Sequence, residues 1–186
     1  DKRPVFVIYK PLMLDNSINF IKIWNSLAKK NGFTKGIFFI GHTLNNNECK
    51  RILSLGFDAV NIVRIGEHRF NYNVIFNNFL SILKYKFFNK PLIIKYKSIS
   101  KYFIQKIDSK IDIFPTIIPN WDHTPRSGRN GVIFQNPSPK FFKNHIDKCF
   151  EIVSKKPINR QIIFLKSWNE WGEGNYMEPD AEYGNE

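Results

Sequence analysis

The sequence predicts an α/β fold with a mainly parallel sheet, on two observations. Short apolar runs of strand length alternate with segments of helical periodicity along the 186 residues. The runs are apolar at successive positions rather than at alternate ones, as in strands covered on both faces. Strands separated by helices imply right-handed βαβ units.

Taken in order, residues 5–9 (VFVIY) form the first strand, which ends before Pro11. Ile18, Phe20, Ile21, Ile23, Trp24, Leu27 and Ala28 recur near every 3.6 residues and predict a helix. Asp15, Asn16 or Ser17 can cap its start, and Gly32 follows its end. Residues 36–40 (GIFFI) are the second strand, 46–55 a short helix closed by Gly56, and 59–63 the third strand. Phe76, Phe79, Leu80, Leu83, Phe87 and Phe88 suggest a helix within 70–90. Residues 91–97 read as extended, and Ser98 as the cap of a helix carrying Ile99, Tyr102, Phe103 and Ile107.

Residues 113–118 are a strand broken by Pro115, and a polar loop with Gly and Pro runs from 119 to 130. The clearest helix starts at Ser138 with Pro139 in its first turn, and Phe141, Phe142, His145, Ile146, Cys149, Phe150 and Val153 make one face. His145 on that face reads as a core residue. Residues 161–167 are the last strand. Five or six strands are too few for a complete (β/α)8 barrel, which typically takes ~250 residues. The sheet is therefore either open or the C-terminal part of a barrel. The five strands at 5–9, 36–40, 59–63, 113–118 and 162–167 should lie parallel in it.

Composition narrows the function classes. Hydrophobic residues at 42% and aromatics at 16% supply a core and exclude disorder. No apolar run approaches the ~18 residues that span a bilayer. The net charge of +12 invites a nucleic-acid reading. The lysines are scattered, however, with no block of five like charges and no nucleic-acid motif, so nucleic acid is not an expected partner. Attraction to an anionic membrane surface, a phosphorylated substrate or plain compositional bias each accounts for the charge. Cys49 and Cys149 lie in no CxxC or Cys/His cluster, which fits a reduced, cytoplasmic protein. Residue 1 is Asp rather than Met, so the chain is expected to begin after something else.

The chemistry concentrates in Lys166–Asp180 (KSWNEWGEGNYMEPD), directly after the last strand, where parallel α/β folds build their sites. Glu170 and Glu173 are three residues apart in a turn with Gly172 and Gly174, so both carboxylates can point into one cleft. Trp168, Trp171 and Tyr176 surround them. Flat aromatic faces beside paired carboxylates suit a sugar ring, and the logic is that of glycosyl chemistry. The bland account, a Trp-rich strand end with glutamates on a solvated turn, stands level on composition alone. Glu178, Asp180 and Glu182 read as solvated or structural.

The stretch Trp168–Asp180 resembles the WNEWxEGxYLEPD signature of WbsX-type proteins, glycosyltransferases of surface-polysaccharide clusters that are similar to glycoside hydrolase family 99. Residues 114–126 (FPTIIPNWDHTPR) are similar to the family's strand and WDNTPR loop, with His123 in place of Asn. Residues 3–11 (RPVFVIYKP) are similar to its KPVFLIYRP strand. The resemblance implies a (β/α)8 barrel, of which residues 1–186 would be one partial catalytic domain lacking the first strands. In the related NEWHEG motif of family 99 glycosidases the two glutamates are the catalytic pair. Glu170 would then be the base that activates the sugar 2-hydroxyl, and Glu173 the acid/base at the glycosidic oxygen. Gly172 stands where those glycosidases have His. Their place at strand ends makes Trp121, Asp122, Arg126, Trp168, Asn169, Trp171 and Tyr176 candidates for the sugar site, with Tyr9 and His42 at equivalent rim positions.

Alternatives remain at single residues. Asp122 and Arg126 either pair structurally or line the sugar cleft, and His42 is either a hydrogen-bonded structural residue or a ligand to sugar. Arg64, Glu67, His68 and Arg69 could bind an anionic group, but a solvated loop is the plainer account. No GxGxxG, P-loop, Asp-x-Asp or His/Cys cluster is present, so no metal and no cofactor is expected. The leading function is a surface-polysaccharide glycosyltransferase (O-antigen or capsule) acting on an oligo- or polysaccharide that can be lipid-linked, with peripheral contact at the inner membrane face. The alternatives are a family 99-like endo-mannosidase-type glycosidase and a non-catalytic sugar-binding remnant.

Overall fold

The computed structural model describes residues 2–66 and 72–184. These fall into two compact units, between which the chain passes several times.

The first unit takes Asp1–Val63, Lys106–Pro115 and Ile152–Ile163. Strands β1 (Val5–Ile8), β2 (Phe38–Thr43), β3 (Ala59–Ile62) and the start of β5 (Ile113–Ile117) pair side by side and parallel. Register is set by Val5↔Phe38, Ile40↔Ala59 and Val60↔Ile113. Helices α1 (Ser17–Lys30) and α2 (Cys49–Ser54) are the crossovers. The core gathers Ile21, Phe39, Ile52, Phe57, Val60, Ile62 and Ile113. β2 and β3 are buried almost throughout, as their uninterrupted apolar runs predict. Gly41 of β2 has no space for a side chain, because an added Cβ would meet Ile52 of α2 at 2.4 Å. Arg3 forks onto Asp58 with two bonds of 2.8 Å, and Asp58 also accepts the Phe39 N–H.

β1 departs from expectation. Its Val5, Phe6 and Val7 are exposed, because β2 is its one paired neighbour among the described residues. α1 buries a narrower stripe than its periodicity suggests, Ile21 and Ala28, while Ile18, Ile23, Trp24 and Leu27 stay exposed.

The second unit takes Arg64–Gln105, Thr116–Glu151 and Phe164–Glu186. Here the end of β5 pairs parallel with β7 (Phe164–Leu165) through Thr116↔Phe164 and Ile117↔Leu165. The strands at 5–8, 38–43, 59–62, 113–117 and 164–165 are thus all parallel, in the order β1-β2-β3-β5-β7. A second parallel pair joins β4 (Leu92–Lys95) to β6 (Val132–Gln135), and a short antiparallel pair joins β8 (Asn169–Glu170) to β9 (Asn175–Tyr176). Helices α3 (Tyr72–Asn77), α4 (Phe79–Phe88), α5 (Tyr96–Ile99), α6 (Thr124–Ser127) and α7 (Pro139–Val153) complete the described elements. As β5 leaves the sheet, two side chains satisfy Ile118: Tyr96 Oη donates to its carbonyl at 2.6 Å, and its N–H donates to His145 Nε2 at 3.2 Å. His145 is buried, as its place on the apolar face of α7 predicts.

Several expectations are corrected. The helix from Ser98 to Ile107 is instead α5 followed by 3-10 turns at Ser100–Tyr102 and Lys106–Ser109, and the Ser98 hydroxyl donates to Lys95 O. Pro115 does not break β5, whose pairing with β7 starts only after it, at Thr116. β6 lies just past the loop and was not foreseen. The last strand shortens to 164–165, because a 3-10 turn at Ile158–Arg160 precedes it and the Gln161 amide turns back to Ser154 O and Lys156 O. The helix expected within 70–90 begins in part outside the described residues, as do Glu67, His68 and Arg69. Arg64 is no solvated residue: it is buried and donates to Phe103 O at 2.7 Å.

Candidate functional site

The site residues of the second unit come from two loops, one after β5 and one after β7. They are stitched together by backbone and by two asparagine side chains. Asp122 N donates to Glu173 O at 2.7 Å, Tyr176 N to Asn120 Oδ1 at 3.2 Å, and the Asn175 amide to Asn120 O. Lys166 N donates to Ile117 O at 3.0 Å. Between β8 and β9 the chain makes one 3-10 turn, Trp171–Glu173, and reverses at Gly174. Gly174 is required twice. Its φ of 51° is left-handed, and an added Cβ would lie 3.0 Å from Asp122 Cβ.

This turn brings Glu170 and Glu173 to one guanidinium. Arg126 Nη2 is 3.4 Å from Glu170 Oε1, and Arg126 Nε is 3.2 Å from Glu173 Oε1. The two carboxylates differ in environment, with side chains 38% and 10% exposed respectively. Glu173 also has Lys166 Nζ at 4.0 Å and His123 Nε2 at 3.8 Å. Lys166 in turn sits 4.7 Å over the buried Trp121 ring, and Trp121 stacks on His123 at 5.4 Å. The pair is therefore not a bare couple of like charges. Cations balance it, most densely at Glu173.

Arg126 goes to the glutamates rather than to Asp122. The Asp122 carboxylate accepts from Thr124 N at 2.8 Å and Thr124 Oγ1 at 2.6 Å, closing the turn into α6. Trp171 and Tyr176 stack on each other at 3.7 Å, and their polar tips are anchored: Trp171 Nε1 donates to Glu178 at 2.5 Å and Tyr176 Oη to Asp180 at 3.1 Å. Desolvation first, and then the bond to Asp180, holds the Tyr176 phenol above its usual range. Asp180 is held below the usual carboxylate range, chiefly by the Tyr183 N–H. Glu178 and Asp180 thus each hold the polar tip of an aromatic side chain. Asn169 pairs with Tyr176 across the β8–β9 ladder.

Trp168 and Tyr176 line a cleft of about 760 Å³ with Asn120, Phe141, Phe142 and Tyr183. Glu170 and Glu173 are not in its wall. Among the described residues no cluster of His, Cys, Asp and Glu is suited to a metal. Lys166, His123 and Asn120 were not singled out from the sequence for roles here. Lys166 stood inside the richest segment and His123 inside the Trp121–Arg126 loop, so position was the available signal.

In the first unit, Tyr9 stacks on His42 at 5.2 Å. Asn61 Nδ2 donates to Phe114 O at 3.1 Å, which turns its Oδ1 to His42 Nδ1 at 2.9 Å and makes that nitrogen the donor. Tyr9 and His42 line a cavity of about 300 Å³ with Lys10, Thr43, Asn45 and Glu48.

Compared with known proteins, all of residues 1–186 match the glycosyltransferase WbsX family. The chain belongs to this family. "Uncharacterized protein WxcX" of Xanthomonas campestris pv. campestris (strain ATCC 33913) is 22% identical over 186 residues, 98% of this chain and 25% of that protein. Its namesake in strain B100 gives the same figures. Among solved structures, the GH99 endo-alpha-mannosidase from Bacteroides thetaiotaomicron superposes with a TM-score of 0.53 at 18% identity, over 95% of this chain and 45% of that one. Its complex with BIS-TRIS-propane also gives 0.53, at 16% identity, over 98% and 50%. This WbsX-family chain thus has the parallel β/α arrangement of the GH99 barrel fold, and spans a quarter of its curated relatives' length and about half of the solved chains. Family and fold make it a domain of a carbohydrate-active protein class.

Proposed function

We propose that this domain makes or breaks a glycosidic bond in surface-polysaccharide assembly, with Glu170 and Glu173 as the reacting pair. The observation that carries the reading is the convergence of both carboxylates on Arg126, next to the stacked Trp171 and Tyr176. Glu170, the more exposed, is the base that takes the proton from a sugar 2-hydroxyl as that oxygen bonds to the anomeric carbon, and it returns the proton when the acceptor displaces the 2-oxygen. Glu173, the more buried, gives a proton to the departing glycosidic oxygen and takes one back from the acceptor. The acid role requires Arg126 to leave Glu173 as substrate enters, and its half-exposed side chain has the room. Trp168 and Tyr176 offer ring faces to further sugar units in the adjoining cleft.

An acceptor sugar makes the reaction a transfer, and water makes it a hydrolysis. The WbsX family favours the first, and the fold likeness to an endo-alpha-mannosidase keeps the second in play. The substrate is an oligo- or polysaccharide, in one form lipid-linked. A place at the cytoplasmic membrane face fits the exposed aromatics of α3 and α4 and the exposed lysines of α4.

The test is Glu170→Gln and Glu173→Gln in the full-length protein with its own substrate. Each should lower turnover by ~10²–10⁴-fold, the usual contribution of a positioned acid or base, while sugar binding persists. Undiminished turnover in either variant would falsify the assignment.

A further inference from the structure

The geometry points to an oxyanion site of the phosphate class in the small pocket between α5 and α7, floored by His145 and ringed by Lys97, Lys101 and Lys148. The pocket holds about 110 Å³, with Ser100 and Asn144 completing its polar wall. That is room for one tetrahedral anion and too little for a sugar ring with its hydroxyls.

His145 marks the pocket as more than a group of surface lysines. The residue is 2% exposed. Its Nε2 accepts the Ile118 N–H, so the ring proton sits on Nδ1. Nδ1 is buried and has no hydrogen-bond partner among the described residues. A buried N–H left unpaired is costly, and such a group in a native fold calls for a partner. Burial first, and then the charge of Lys148, lowers the His145 pKa to about 4, so the ring is a neutral donor at ordinary pH.

The three lysines define the partner's chemistry. Lys97 lies 5.5 Å over the Phe141 ring, which holds its ammonium at the pocket. Among the described residues no carboxylate lines the pocket. Asp147, the neighbour on α7, is held by Lys143 at 2.7 Å. A ligand here meets ammonium groups and an N–H, so it must be an acceptor with negative charge, and lysines serve phosphate as compact point charges. The inference stands independently of the Glu170 and Glu173 assignment. Phe141 lines both this pocket and the 760 Å³ cleft, so the two are neighbours across one ring.

The test titrates the intact chain with inorganic phosphate, following the His145 ring nitrogens by NMR and binding by calorimetry. Saturable binding near a Kd of ~1 mM is expected, typical of a few charge-assisted bonds, with a shift of the Nδ1 resonance. Lys101→Gln and Lys148→Gln should each weaken binding several-fold and together abolish it. Lys140→Gln with Lys143→Gln removes the same charge from α7 outside the pocket and should leave binding unchanged. Equal weakening by that control pair, no saturation, or a static Nδ1 resonance would each overturn the site. Vesicles of phosphatidylglycerol distinguish the source. Vesicle binding lost in the pocket variants assigns a lipid headgroup, and vesicle binding untouched by them leaves soluble phosphate or a phosphorylated saccharide.

Discussion

Arg126 reaches Glu173 with its Nε at 3.2 Å, across the gap between two loops that are far apart in sequence. The same guanidinium touches Glu170 at 3.4 Å, so one side chain sets the spacing and charge balance of both carboxylates. Replacing it by Ala would remove the cation the two carboxylates share and leave Glu173 with Lys166 Nζ at 4.0 Å and His123 Nε2 at 3.8 Å.

Arg126→Ala is therefore expected to lower kcat/KM of the full-length protein by ~10–100-fold, within the range of a lost charge-assisted contact. Arg126→Lys should recover only part of this, because an ammonium cannot bridge both oxygens as a fork does. Steady-state kinetics on the three proteins decide it. Equal rates for Ala and wild type would remove Arg126 from the site.

Gly174 and Gly172 should separate stability from activity. Gly174→Ala forces a side chain into left-handed backbone and against Asp122 at 3.0 Å, and should cost about 1–2 kcal/mol. At Gly172 an added methyl would meet, among the described residues, Glu170 Oε1 at 3.2 Å and nothing else within 4 Å, so Gly172→Ala should leave the melting temperature nearly unchanged and alter turnover. Calorimetry beside kinetics reads both. An unaltered Tm for Gly174→Ala would contradict the turn geometry.

The parallel strand order was legible because long uninterrupted apolar runs leave few other readings, and β2, β3 and β5 bear this out. β6 escaped because Val132-Ile133-Phe134 follows a Gly-rich loop and is too short to stand out. The helix expected from Ser98 failed for a different reason. Ile99 and Phe103 are buried as predicted, but a spacing of four does not separate a continuous helix from successive tight turns. At the candidate site, the two glutamates and the aromatic residues were readable from Lys166–Asp180. The partner of Arg126 was not, since Asp122 is four residues away and Glu170 forty-four. Local sequence favours the near pair, and only the fold brings up the distant one.

His145 should leave a mark on the pH dependence of stability. Its pKa falls from the usual 6.5 to about 4 on folding. Between those values the unfolded chain binds more protons than the folded one, so stability rises with pH through this window and is lost as pH falls. The shift corresponds to roughly 3 kcal/mol as an upper figure. Denaturant midpoints from pH 4 to 7 should therefore slope less steeply in His145→Gln than in wild type, after the shared carboxylate contribution is subtracted. Parallel slopes would show that the ring titrates freely.

The α3–α4 segment supports the last prediction, on membrane contact. Tyr72, Phe76, Phe79, Leu80, Phe87 and Phe88 are all exposed, and Lys84, Lys86 and Lys90 lie among them. No described helix is long and apolar enough to cross a bilayer, so this surface would lie on a membrane rather than pass through it. Burying one Phe side chain contributes ~1.5–3 kcal/mol, and each lysine near an anionic surface about 1 kcal/mol. Phe87→Ser with Phe88→Ser should then reduce binding to phosphatidylglycerol vesicles by at least ~10-fold, since even one fully buried ring is worth that much. Salt should weaken the wild-type binding by screening the lysines, while the Phe contribution survives. Cosedimentation at low and high salt measures both parts. Binding that is abolished by salt and indifferent to the two Phe substitutions would reduce the contact to charge alone and dismiss α4 as the docking element.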